Sequence, residues 1–109
     1  MAKIIWEDEP KLLLNQFIDY AGLEYGKSTA KRWATEVQAF EYRVKSFPES
    51  YPPEELLIGR SPLYRRRHLM NRRFKIIYYY DEADNTVHVI DIWDTKRNPS
   101  ALIRRIKTE

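Results

Sequence analysis

Ala30, Trp33, Val37, Phe40, Val44 and Phe47 recur at alternating steps of three and four residues, and Pro48 follows at once. Only an α-helix gathers residues so spaced onto one side, and an apolar stripe of that width needs a surface to cover it. Ser28, whose hydroxyl can accept from the free N–H groups of a first turn, predicts the start. The spacing therefore predicts one helix over residues 28–47. Upstream, Leu13, Leu14, Phe17, Ile18 and Ala21 also repeat at helical spacing, after the acidic start Glu7-Asp8-Glu9-Pro10 and before the stop signals Gly22 and Gly26. Two such helices joined at Gly26-Lys27-Ser28 make an antiparallel hairpin, and its apolar stripes must rest on a sheet.

The rest of the chain supplies that sheet. Lys3-Ile4-Ile5-Trp6 reads as a short first strand. Residues 48–63 hold Pro48, Pro52, Pro53, Gly59 and Pro62, which break helices and central strands, so a long loop follows the hairpin. Tyr64 to Met70, Phe74 to Tyr80 and Thr86 to Trp93 then read as three strands of an antiparallel meander. Pro99 opens a last helix from Ser100 to about Ile106, with Ala101, Leu102 and Ile106 inward and Arg104, Arg105 and Lys107 outward. The expected architecture is α+β, a single domain of order β-α-α-β-β-β-α, with a mainly antiparallel sheet and with Trp33, Val37, Phe40, Val44, Ile76 and Ile90 buried.

Composition removes several functions. A chain of 109 residues is ordinary for one compact domain. With no cysteine, disulfides and thiolate metal sites are excluded, and a reducing compartment is expected. The apolar runs are far shorter than a membrane span, and the N-terminus lacks the layout of a signal peptide. Asp91 and Asp94 are three apart, but no further ligand is in reach by sequence, so they are expected to cap or ion-pair and no metal is expected. His68 and His88 fall in strands and are read as structural.

Charge is unevenly distributed. Residues 1–59 hold 7 Lys/Arg against 10 Asp/Glu, and residues 60–109 hold 12 against 6. A field of one sign on part of a small protein favours an anionic partner. Its densest part is Arg65, Arg66, Arg67, Arg72, Arg73 and Lys75. Strand alternation sends Arg65 and Arg67 to one face and Arg66 to the other. The same arginines could instead solubilise a sheet face and lie over the rings of Tyr64, Phe74 and Tyr78.

The element order, with Ile4-Ile5-Trp6, Phe47-Pro48, Tyr64-Arg65, Phe74-Lys75-Ile76-Ile77-Tyr78-Tyr79-Tyr80 and Ile92-Trp93-Asp94-Thr95-Lys96-Arg97-Asn98-Pro99, resembles the RelE/ParE toxin superfamily over nearly the whole chain. The resemblance implies a cytoplasmic toxin of a type II toxin-antitoxin system, neutralised by a cognate antitoxin and needing no cofactor. In ribonuclease members, cations on these strands hold the mRNA backbone, and Arg65, Arg67, Lys75 and Arg97 stand at similar positions. Those members also use a C-terminal Tyr or His for proton transfer, whereas no Tyr or His follows Trp93 here. That departure favours a ParE-like poison of DNA gyrase. The alternatives are a ribosome-dependent mRNA endonuclease and a non-toxic nucleic-acid-binding relic. The antitoxin is expected to lay an apolar helix or strand on exposed aliphatic surface and to pair its acids with the basic half.

Overall fold

The structure is a computed structural model and describes residues 1–106. Strand β1 (Lys3–Trp6) leads into helices α1 (Asp8–Tyr25) and α2 (Lys27–Ser46). A long loop with a short 3-10 turn at Glu55–Leu57 connects to β2 (Tyr64–Leu69), β3 (Phe74–Asp81) and β4 (Thr86–Asp94), and α3 (Pro99–Arg105) closes the order. The two long helices meet at Gly26, whose φ of 96° lies in the left-handed region that favours glycine. Gly26, not Ser28, is the N-cap of α2, and no side chain caps it. Lys107 lies outside the described residues.

The sheet runs β1-β4-β3-β2, with β1 parallel to β4 and the other neighbours antiparallel. Its first face receives the hairpin. Trp33, Val37, Phe40 and Val44 of α2 are buried there with Leu69, Ile76, Tyr78, Val87, Val89 and Ile92. The second face has its own smaller core, in which Leu57 from the loop and Leu102 and Ile106 from the C-terminal segment cover Tyr64, Ile77 and Trp93. The long loop also covers part of the β2 edge. Glu54 donates its N–H to the Tyr64 carbonyl at 2.8 Å, and Arg66 donates to that of Pro52 at 3.1 Å.

Other expectations also fail. Helix α2 ends at Ser46, and Phe47, expected on its buried stripe, is the C-cap and 63% exposed. Ile90 is half-buried because a β-bulge shifts the β3–β4 register between Ile77, opposite Asp91, and Tyr78, opposite Val89. Ile90 is the extra residue and packs against the second core. Arg105 does not point outward. It turns back to Asp91 and Glu9, at 2.9 and 3.1 Å.

Tyr78 is fully buried, and its hydroxyl donates to the Pro48 carbonyl at 3.0 Å, tying the end of the hairpin to the sheet. Burial pushes its phenol well above the ordinary range, so it does not exchange protons near neutrality. Tyr78→Phe is expected to cost about 1 kcal/mol through this lost hydrogen bond. A urea melt of the variant checks it. Unchanged stability would mean that the hydroxyl makes no net contribution.

Candidate target-binding face

Register decides which cations share a surface. Arg65 lies opposite Tyr78 and Arg67 opposite Ile76, both residues of the helix-covered core. Arg66 lies opposite Ile77, and His68 opposite Lys75, which in turn neighbours Trp93. Those residues belong to the second face. Arg97 stacks over Trp93 with its guanidinium 4.8 Å from the ring centroid, so it belongs there too. The four cations named by the resemblance are thus divided, with Arg65 and Arg67 on the helix side and Lys75 and Arg97 on the other.

Most cations are already engaged. Arg65 donates to the Tyr51 carbonyl at 2.8 Å. Arg67 pairs with Glu36 of α2 at 3.3 Å and also donates to the His68 carbonyl. Lys75 is 7% exposed, and its Nζ lies 2.7 Å from Oε1 of Glu54, itself 2% exposed. Arg73 pairs with Asp94 at 3.1 Å, which holds that carboxyl below its ordinary range. Glu36 and Glu54 come from α2 and the long loop, so the tertiary fold spends these charges on its own joints.

Three arginines remain. Among the described residues, Arg66 and Arg72 form no ion pair or side-chain hydrogen bond, and Arg97 is held only by its stack on Trp93. Arg72 and Arg97 are exposed and Arg66 is half-buried. Arg72 projects from a turn in which Met70, Asn71 and Arg72 all have positive φ, at 53°, 56° and 69°. That turn is held by Arg32 donating to Asn71 and by the Thr95 hydroxyl, which lies 2.8 Å from the Arg72 and Arg73 carbonyls. Strained backbone of this kind persists only where its surroundings fix it.

His68 sits among these charges. Its pKa is lowered from the ordinary value by burial and then by the neighbouring Arg66, Arg72 and Lys75, so it is a neutral imidazole at pH 7. A neutral imidazole beside unpaired arginines can accept a proton or a hydrogen bond from a bound anion's neighbour. A shallow groove of ≈ 400 Å³ at the β2 edge is lined by Arg66, Arg67 and His68 together with Arg43, Ser50 and Tyr51. Arg66 and His68 were not singled out as site residues from the sequence. The available signal was the fixed alternation of β2 relative to Lys75, which the strand pattern alone does not number. Asp91 and Asp94 do ion-pair, with Arg105 and Arg73.

No helix of the described residues is long and apolar enough to cross a membrane. No family model matches the sequence, and no curated protein matches it. Solved structures do match the fold. The isolated E. coli RelE toxin superposes with a TM-score of 0.61 at 12% identity, covering 98% of this chain and 100% of that one. A chain of the chromosomal ParDE TA system from P. aeruginosa superposes with a TM-score of 0.55 at 16% identity, covering 86% of this chain and 96% of that one. The chain has the RelE/ParE fold.

Proposed function

We propose that this protein of RelE/ParE fold is a single-domain, cytoplasmic toxin of a type II toxin-antitoxin pair, held inactive by a cognate antitoxin. The observation that carries the reading is the group of unpaired arginines, Arg66, Arg72 and Arg97, at one end of the second sheet face. Arginines in that state suit a phosphate backbone or an acidic protein surface, because each guanidinium can still donate two parallel hydrogen bonds. Lys75 and the helix-side Arg65 and Arg67 support the same end of the sheet through their joints to Glu54, Tyr51 and Glu36. The target we favour is DNA gyrase, because the segment after Trp93 has neither Tyr nor His to move a proton.

A second reading has its own observation. His68, neutral and flanked by Arg66 and Arg72, is a group able to take a proton from a ribose hydroxyl, which a ribosome-dependent mRNA endonuclease requires. One experiment separates the two. The protein is induced alone and then together with the product of the adjacent reading frame, and the SOS response, plasmid supercoiling and mRNA integrity are followed. Growth arrest with an SOS response, relieved by the neighbouring product, is the expected result. Truncated mRNA without an SOS response would transfer the proposal to the endonuclease. Unimpaired growth at full expression would refute a toxin of either kind.

A further inference from the structure

We propose that α3 is a displaceable strap over the second sheet face, docked tightly when the Asp91 side chain is neutral and loosely when it is ionised. The strap is held by three devices. Leu102 and Ile106 bury themselves against Ile77 and Trp93. Arg60, from the long loop, donates to the carbonyls of Ile103 and Ile106 at the end of the helix. Arg105 reaches back to the sheet and to α1, its Nη2 lying 2.9 Å from Asp91 of β4 and 3.1 Å from Glu9 of α1, with its guanidinium 5.8 Å from the Trp93 centroid.

Asp91 is the weak point. It is 1% exposed and stands opposite Ile77, a core residue. Neither of its carboxylate oxygens receives a well-aligned hydrogen bond among the described residues, so Arg105 acts mainly as a nearby charge. The charged groups facing it are Arg105 from α3, Glu9 from α1 and Arg97 from the β4–α3 connection. Arg105 and Arg97 favour the carboxylate and Glu9 opposes it. Burial outweighs the two arginines and the nearby Ile92 N–H and pushes the carboxyl up from 3.8 to about 6. When α3 lifts, Asp91 meets water and returns towards the ordinary carboxylate range.

The docked form therefore has the higher pKa and binds the proton more tightly. Acidification through pH 6 favours docking, and a rise through pH 6 opposes it. A carboxyl near 6 when docked and in its ordinary range when undocked limits the change in the docking equilibrium to about a hundredfold. This property is independent of which target the protein takes.

Hydrogen exchange on the full chain tests it, with protection factors corrected for the intrinsic rate at each pH. Amides of Ile103 to Ile106 are read against Val87 and Val89 in the sheet. Protection of the α3 amides is expected to fall about tenfold between pH 5 and pH 7.5, while the sheet amides hold. Asp91→Asn should keep α3 at its low-pH protection throughout. Arg105→Gln should loosen α3 at pH 7.5 and regain protection at pH 5, because a neutral carboxyl needs no cation. A pH-independent α3 in the parent protein would overturn the proposal, as would a pH dependence that survives in Asp91→Asn. Equal damage in Arg105→Gln at both pH values would reduce Arg105 to a packing role and also overturn it.

Discussion

Lys75→Met is expected to destabilise the protein by about 3–5 kcal/mol, among the largest effects a single change can produce here. Lys75 and Glu54 are both buried, and their 2.7 Å pair joins β3 to the long loop. Removing the ammonium leaves the Glu54 carboxylate buried without its cation, and its Oε2 already has no partner. The carboxylate must then pull the loop open or take up a proton. Both routes weaken the second core, since Leu57 follows Glu54 by three residues. For a chain of this size the loss corresponds to a fall in Tm of roughly 15 °C or more. Adding Glu54→Gln to the same protein removes both charges and should recover most of the loss. Thermal melts of the two single variants and the double variant close the cycle. A single variant within about 1 kcal/mol of the parent would show that the pair holds nothing. The double variant also tests the role that the resemblance gives Lys75. A refolded but inactive double variant would make Lys75 a target contact, and a refolded and toxic one would make it a joint.

The second large effect is functional and separates odd from even positions on β2. Arg66 and Arg97 share the second face and form no ion pair at contact distance among the described residues, Arg97 acting on Asp91 only as a more distant charge, whereas Arg65 and Arg67 are bonded to Tyr51 and Glu36 on the helix side. Arg66→Ala combined with Arg97→Ala should leave the melting curve nearly unchanged. If each guanidinium donates one charge-assisted hydrogen bond to the target, the pair loses roughly 3–6 kcal/mol of binding, about a hundredfold to ten-thousandfold. Growth arrest should then disappear at normal induction. Arg67→Ala should behave in the opposite way, lowering stability because Glu36, which also accepts from the Met70 N–H, loses a cation. Growth assays paired with melts on all three proteins give the answer. Full toxicity in the Arg66/Arg97 variant, with toxicity lost in a well-folded Arg67 variant, would return the contact to the helix side of the strand.

The difference between those two sets measures what the chain alone makes legible. The steps of three and four from Ala30 to Val44 specify α2, because no other backbone puts those residues on one side, whereas Phe47 falls just past the helix end and is exposed. The prolines from 48 to 62 separate helices from strands, and the meander follows from three β-rich runs with polar turns between them. Each of these features is local, and the physics that sets it acts within a few residues. The charges are a different matter. Arg67 is occupied by Glu36, 31 residues away, Lys75 by Glu54, 21 away, and Arg65 by Tyr51, 14 away. The bulge at Ile90 sets Asp91 opposite Ile77, where Arg105 of α3 reaches it. A run of arginines in sequence says that charge is present, but whether a given guanidinium is free depends on which carboxylates and carbonyls the packed elements bring within about 3 Å of it. The sequence alone determined the helices, the strands and the basic half of this protein. Only the tertiary structure decided which cations are left over, because hydrogen bonds and ion pairs act at contact distance and contacts between distant segments exist only once the sheet, the hairpin and the loop have closed on one another.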